Sequence, residues 1–369
     1  MATSTIALPH DAAQVAALLD LPEIKHLIAD LDETRWTGRP GFPVRVMVGA
    51  FLIKSVYCLP TWTRTARLIA EHAALREAIG GAPSHWACYR FAAKLREHGD
   101  MLTACIDRVL ATLREAHPDM GQTVAIDGSD MPAYANGHKH VGNSNGPLRT
   151  RFADPDAGWG HRSSISTRKG GAFYGYKLHM AVCTQTELPL AWTIRAANEP
   201  EQAEVAGLLD SVLERGFAAQ VAVLDKGYDG QPMHDVCESR GIRPVIALVQ
   251  TPAVKAGKHK PPACDHGEWT FAGADAKRGA SKWRCPTGEC QPASKWIKAS
   301  RLHPLIPHGT DRWKSLYRRR TAVERGYGRL KNDYGLLPLR LRRLARVTLH
   351  ASLTILAQLA SALLITRDT

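Results

Sequence analysis

The chain is expected to fold as an α/β protein: a mixed β-sheet flanked by helices, with an N-terminal helical domain before it and a β-rich insertion within it. Three observations carry that expectation. Apolar residues recur at helical spacing through most of residues 10–118, the period of amphipathic helices. From Gln122 onward the pattern changes to short apolar runs separated by helical stretches, as in sheets with helices on their faces. Residues 252–307 then become rich in Lys, Pro and Gly before the helical pattern returns. The resulting divisions are a helical domain over 1–120, a first catalytic part over 121–251, an insertion over 252–307 and a second catalytic part over 308–369.

In the first division, Val44 to Ile53 and Trp62 to Ile69 read as helices joined through Leu59-Pro60-Thr61, with Thr61 as N-cap. Pro83-Ser84 opens a further helix through Trp86, Tyr89, Arg90, Phe91, Lys94 and Leu95. Two helices across a tight turn, bearing Arg and aromatics, suit a helix-turn-helix reader of DNA; a plain helical bundle has the same outline.

In the second division, Thr123 to Asp127 is an apolar strand that ends on a carboxylate. Residues 128–172, rich in Gly, Asn, His and Asp, read as a long loop, a length that is usually functional. Tyr174 to Cys183 and Leu188 to Ala197 form a hairpin around Thr184-Gln185-Thr186-Glu187. A helix over 200–216, a buried strand over 219–224 ending at Asp225, a helix over 231–240 and a strand over 243–248 follow. The insertion contains a hairpin between Trp269-Thr270-Phe271 and Lys282-Trp283-Arg284. One strongly basic helix spans about 311–334, and a last helix about 345–366.

Charge and targeting narrow the partners. With 48 Lys+Arg against 35 Asp+Glu the formal net charge is +13, which favours a polyanionic partner. Met1 to His10 lacks the basic and apolar regions of a signal peptide. The stretch Val347 to Ile365 is long enough for a membrane, but His350, Ser352, Thr354, Gln358 and Ser361 interrupt it. It reads as a packed helix, and the chain as an intracellular protein with reduced cysteines and no membrane partner.

The element order is that of a ribonuclease-H-like sheet, in which the first strand, the fourth strand and the last long helix converge at one edge. Those elements carry Asp127, Asp225 and Glu324. Three neighbouring carboxylates repel one another unless cations neutralise them, so a pair of Mg²⁺ or Mn²⁺ ions is the economical expectation. On the basic helix, at about 100° per residue, Trp313, Tyr317, Arg320, Glu324 and Lys331 fall within roughly a 60° arc. Gly328 lies close to that stripe, where a phosphate backbone could approach. An acid, two cations and two aromatics are a poor core face and a good grip on a DNA end.

Tyr317-x2-Arg320-x3-Glu324-x6-Lys331 resembles the Y-R-E-K signature of DDE-type insertion-sequence transposases, groups four and five, within the ribonuclease-H-like integrase superfamily. Asp225-Lys226-Gly227-Tyr228-Asp229 and Ile126-Asp127-Gly128-Ser129 resemble that family's second- and first-aspartate motifs, and Gly175-Tyr176-Lys177-Leu178-His179 its central segment. The resemblance implies that Asp127, Asp225 and Glu324 are catalytic and bind two metal ions. It implies that Tyr317, Arg320 and Lys331 contact the transposon end, with Trp313 and Lys177 counted among the DNA contacts. Metal-dependent end cleavage and strand transfer, a homodimer holding two ends, and a cytoplasmic, nucleoid-associated bacterial protein follow from the same resemblance. A related nuclease without strand transfer and an inactive transposase-derived DNA-binding regulator remain as alternatives.

Some residues admit two readings. Asp130 and Asp229 compete with Asp127 and Asp225, which are preferred because each directly follows its apolar run. Asp154 and Asp156 look like turn chemistry. Trp269 and Trp283 are candidates for stacking on a flipped base, or are buried hairpin residues. Cys264-x-His266 with Cys285-x4-Cys290 supplies zinc-type ligands, but not at the usual paired spacing, so free thiols are preferred over structural Zn²⁺.

Overall fold

Val44 to Ile53 has almost no polar side, and a helix without a polar face must be surrounded. It becomes α3 (Val44–Val56), the centre of an N-terminal helical cluster. Around it pack α1 (Ala12–Asp20), α2 (Pro22–Asp32), α4 (Trp62–Glu71), α5 (Ala73–Ile79) and α6 (His85–Glu97); α7 (Gly99–Ala116) closes the cluster against α2 and α6. Thr61 caps α4 by accepting from the Arg64 amide at 3.3 Å, and Ser84 caps α6 by accepting from Ala87 at 3.2 Å, each satisfying a free helix-end donor. The computed structural model describes residues 12–34, 41–138, 140–141, 151–162, 164 and 169–368. The reading of Met1 to His10, and of the long loop at 139, 142–150, 163 and 165–168, lies outside the described residues.

The strands are β1 (Thr123–Pro132), the short pair β2 (His140–Val141) and β3 (Arg151–Phe152), β4 (Gly158–Arg162), β5 (Gly171–Cys183), β6 (Pro189–Ala196), β7 (Val221–Leu224) and β8 (Arg243–Ile246). β1 lies between antiparallel β5 and parallel β7, and β8 continues parallel to β7. The far edge of β5 is shared, by β4 along Gly171–Gly175 and by β6 along Tyr176–Val182. The core order β6-β5-β1-β7-β8 is ribonuclease-H-like. Between β6 and β7 runs α8 (Glu204–Glu214), and between β7 and β8 runs α9 (Gln231–Glu238).

After β8 come α10 (Pro252–Lys255), the two-residue pair β9 (Ala263–Cys264) and β10 (Gly267–Glu268), and a three-stranded antiparallel sheet of β11 (Thr270–Asp275), β12 (Ala280–Arg284) and β13 (Ser294–Lys298). The expected hairpin is β11–β12, with Phe271 opposite Trp283; β13 is an addition to it. The chain ends with α11 (Asp311–Arg318), α12 (Thr321–Asn332) and α13 (Leu344–Asp368).

Two expectations need correction. The basic segment is not one helix: the amides of Arg319 and Arg320 bond to Leu316 and Tyr317, and those of Ala322 and Val323 to Arg319 and Arg320. These three-residue steps are a tighter 3₁₀ turn that separates α11 from α12. The loop over 128–172 is shorter than expected, because β1 runs on to Pro132 against β5, β5 begins at Gly171, and β4 occupies Gly158–Arg162 within it. Polar Gly128-Ser129-Asp130 stays in strand because β5 satisfies its backbone groups.

A continuous apolar core runs from α1 through the sheet to α13. Helix α13 is long and apolar enough to span a membrane, yet 67% of its most apolar window is buried within the chain. It packs against α1, α3, α7 and β6, joining the helical cluster to the sheet.

Candidate active site

Side chains alternate across a strand, so residue parity assigns each one a face. Ile126 aligns with Leu224 in the parallel β1–β7 pair, and both belong to the core shared with α8 and α9. The next residues, Asp127 and Asp225, therefore fall side by side on the opposite face, together with Val221 and Val223. That face is covered by α11, whose Trp313, Leu316 and Tyr317 pack on Val221, Val223, Val245 and Ile306, and by α12, which crosses β1 and β5. Asp130 has the other parity and pairs with Arg162 at 3.7 Å. Asp229 is fully buried in a two-point salt bridge to Arg301 at 2.5 and 2.6 Å and accepts the Val249 amide. Both rival aspartates are thus engaged elsewhere.

Helix α12 is pinned by its buried side. Val323, Gly326, Tyr327 and Leu330 face the sheet, and the Tyr327 hydroxyl lies 2.6 Å from the carbonyl of Asp127 and 2.8 Å from that of Leu178. A Cβ on Gly326 would stand 3.3 Å from the Glu187 carbonyl, so glycine permits this close approach. On the outer side Glu187, held at φ 60 in the β5–β6 turn, pairs with both Arg325 and Arg329. These contacts seat α12 over the middle of β1, where Lys331 meets Ser129.

Arg320, in the 3₁₀ turn, joins the acids. Its guanidinium is 2.8 Å from Glu324 Oε1 and 4.0 Å from Asp127 Oδ2. Tyr317 donates to Asp225 Oδ1 at 3.4 Å, and its ring stacks on Trp313 with centroids 4.7 Å apart. Lys331 donates to Ser129 Oγ at 2.6 Å, two residues beyond Asp127. The three carboxylates are linked through Arg320 and Tyr317. They do not form a tight ligand set; among the described residues, the group of potential ligand atoms lying within 4.8 Å of one another is Cys264, His266, Cys285 and Cys290.

Electrostatically, the charge of Asp127 is only partly compensated. Burial, against a compensating hydrogen bond from the Gly128 amide, and the nearby charges of Glu201 and Asp225 push the Asp127 carboxyl up to about 7. Its charged form is disfavoured until positive charge arrives. An all-oxygen donor set with that demand fits a hard divalent ion.

Glu201 went unnoticed in the sequence. It stands just before α8, paired with Lys177, and accepts from the Tyr228 hydroxyl at 3.3 Å. Gly128 makes room for it, since a Cβ there would lie 3.2 Å from the Glu201 carboxyl carbon. Pro200-Glu201 offered only a helix start as a signal. Lys177, opposite Asp130 across β1–β5, lies on the other face from Asp127. Asp154 and Asp156 are structural: Asp154 accepts from Tyr176 and the Arg343 amide, and Asp156 from the Leu344 amide at the start of α13. Trp269 and Trp283 are buried with Cys285 in the core of the insertion, which rules out stacking on a base in this conformation.

Residues 118–359 match a family described as "Transposase DDE domain", and residues 3–93 match one described as "Transposase domain (DUF772)". No curated protein matches the chain. Among solved structures it is similar to a piggyBac transposase seen by cryo-EM in a synaptic complex with hairpin DNA, at 12% identity and a TM-score of 0.39, over 97% of this chain and 75% of that one.

Proposed function

Because this chain belongs to the family of transposases with a DDE domain, we propose that it cuts and joins DNA at a divalent-metal site held by Asp127, Asp225 and Glu324. The observation that carries this reading is the joint register of Asp127 and Asp225 on the face beneath α11 and α12, with Arg320 already serving as counter-ion to Asp127 and Glu324. Two Mg²⁺ or Mn²⁺ ions bound there would activate the attacking oxygen and stabilise the leaving one in an in-line displacement.

The chain's own groups account for the remaining requirements. Arg320 can transfer its guanidinium from the carboxylates to a phosphate once metal neutralises the acids, a bidentate contact suited to that anion. Lys331, on Ser129, places a second cation beside the first acid. Tyr317 borders the second. Trp313, packed against the sheet, backs Tyr317 rather than touching DNA, and Lys177 orients Glu201. Recognition of the element's ends falls to the N-terminal helices, where Trp86 and Tyr89 of α6 are 64% and 46% exposed. In the insertion, base stacking passes from Trp269 and Trp283 to Trp296, which is 39% exposed beneath Arg278 and Lys282. A pair of chains, one at each end of the element, working in the cytoplasm beside the nucleoid, completes the reading.

The deciding assay offers linear DNA carrying one element end, with Mg²⁺, to the wild-type chain and to Glu324→Gln. Wild type should cleave, and a pre-cleaved 3′-hydroxyl end should be joined to target DNA. The variant should lose about 100-fold or more of both activities. Cleavage unchanged in Glu324→Gln would overturn the assignment; cleaved ends that are never joined would reduce the activity to that of a nuclease.

A further inference from the structure

We infer that the insertion is built around a structural zinc ion held by Cys264, His266, Cys285 and Cys290. Two separate turns present these residues. The β9–β10 hairpin places Cys264 opposite Gly267, whose φ of 113 lets the turn close tightly and aims His266 inward. The loop from Cys285 to Ala293 is closed by a 3.0 Å bond from the Cys285 amide to the Ala293 carbonyl, and it carries Cys290 back toward the hairpin.

The distances are those of a tetrahedral site. Zinc bonds of about 2.3 Å to sulfur and about 2.0–2.1 Å to nitrogen give roughly 3.8 Å between two sulfurs and roughly 3.5 Å between sulfur and nitrogen. Cys264 and Cys285 have their sulfurs 3.8 Å apart. His266 Nδ1 is 3.6 Å from Cys290, 3.7 Å from Cys285 and 4.0 Å from Cys264. A disulfide needs sulfurs at about 2.05 Å, and it would leave the imidazole without a role.

The far side of the imidazole has a partner as well. His266 Nε2 lies 3.1 Å from Glu289 Oε2, the carboxylate–histidine arrangement that fixes ring orientation and raises ligand basicity at metal sites. The Thr287 hydroxyl, 3.5 Å from the Cys285 sulfur, can donate to a thiolate. Three sulfurs and one imidazole select zinc over the hard ions of the carboxylate site.

The apolar core within the insertion is small. Its buried residues are Trp269, Trp283 and Cys285, far too little apolar surface to hold a unit of this size. Ligand spacing along the chain argued for free thiols. That convention fails here because the ligands come from two turns that β11 and β12 bring face to face. Binding releases the three thiol protons and ties the Cys285–Ala293 loop to the hairpin, steadying β13 and its exposed Trp296.

The test uses the full chain purified under reducing conditions. Metal analysis should find one equivalent of zinc in the wild type and in Asp225→Asn, which separates this site from the carboxylate site. It should find almost none in the Cys264→Ser/Cys290→Ser variant. Should that variant fold poorly, Co²⁺ added to chelator-treated wild type provides an independent reading: tetrahedral cobalt–thiolate bands should appear and be bleached by Zn²⁺. Chelation should also expose residues 252–307 to limited proteolysis while the rest of the chain resists. Wild-type protein that takes up neither metal, or zinc retained in the double-serine variant, would overturn the site. Neither result bears on whether the chain cleaves DNA.

Discussion

Arg320 and Glu324 stand four residues apart, with the guanidinium of the first 2.8 Å from the carboxylate of the second. Because the same guanidinium reaches to 4.0 Å from Asp127, Arg320 holds the position of a cation between acids that come from opposite ends of the domain. Replacing Arg320 with Gln should have opposite effects on two measurements. Without DNA, Mn²⁺ should bind at least as tightly, since no guanidinium competes for the acids. Cleavage should fall about 10- to 100-fold, the equivalent of one lost charged hydrogen bond. A Mn²⁺ titration followed by magnetic resonance, beside a cleavage assay, checks both; weaker Mn²⁺ binding would show that Arg320 organises the acids instead.

Asp127 costs the metal-free protein stability. Its folded-state carboxyl is raised to about 7 against an ordinary value near 4, so the folded chain is favoured below about pH 4 and loses that advantage as pH rises through about 7. Asp127→Asn should therefore stabilise metal-free protein at pH 8 by an amount on the order of 2–4 kcal/mol, read as a higher melting temperature. Below about pH 4 the difference should vanish. Mg²⁺ should stabilise the wild type and leave the variant unchanged; thermal melts with and without the ion measure all three expectations.

Tyr327→Phe removes the hydroxyl that bridges α12 to the carbonyls of Asp127 and Leu178. A loss of about 1 kcal/mol in denaturant unfolding is expected, together with slower cleavage at an unchanged metal requirement. A variant as stable as the wild type would mean that apolar packing alone seats the helix.

Acid should weaken the fold through His234. This ring is fully buried in α9, and neither of its nitrogens has a hydrogen-bond partner among the described residues. Burial, with a contribution from His308, lowers it to about 4. Stability from the neutral ring is complete above about pH 6.5 and is lost as pH falls toward about 4. Between pH 7 and pH 5 the wild type should lose the equivalent of about 1–2 kcal/mol relative to His234→Leu, a comparison in which the opposing contribution of Asp127 cancels. An equal drop in the variant would assign acid sensitivity elsewhere.

The two aspartates could be read from sequence because each ends a run of buried strand residues, a pattern local enough to survive without tertiary information. The spacing from Tyr317 to Lys331 was also legible, and despite the unforeseen 3₁₀ turn Tyr317 still meets Asp225, Arg320 meets Asp127 and Glu324, and Lys331 meets Ser129. No glycine, proline or capping residue in Arg318-Arg319-Arg320 announces the break. Gly158-Trp159-Gly160-His161-Arg162 lacks the alternation of a strand and becomes one only because the edge of β5 is available to it. Glu201 was hidden because its proximity to Asp127 depends on how α8 returns beneath the sheet. The closeness of Cys264, His266, Cys285 and Cys290 was hidden for a related reason: it is created by long-range pairing, which ligand spacing along the chain does not encode.

Helix α13 gives the helical cluster and the sheet one common interior, so among the described residues the exposed aromatics of α6 and the acids on β1 and β7 belong to one packed body. A duplex gripped at the first would meet the second at a span fixed by the folded protein. On the function proposed above, such a molecule would work as a caliper: extra base pairs inserted between the gripped sequence and the scissile phosphate would displace the cut along the sequence, or abolish it.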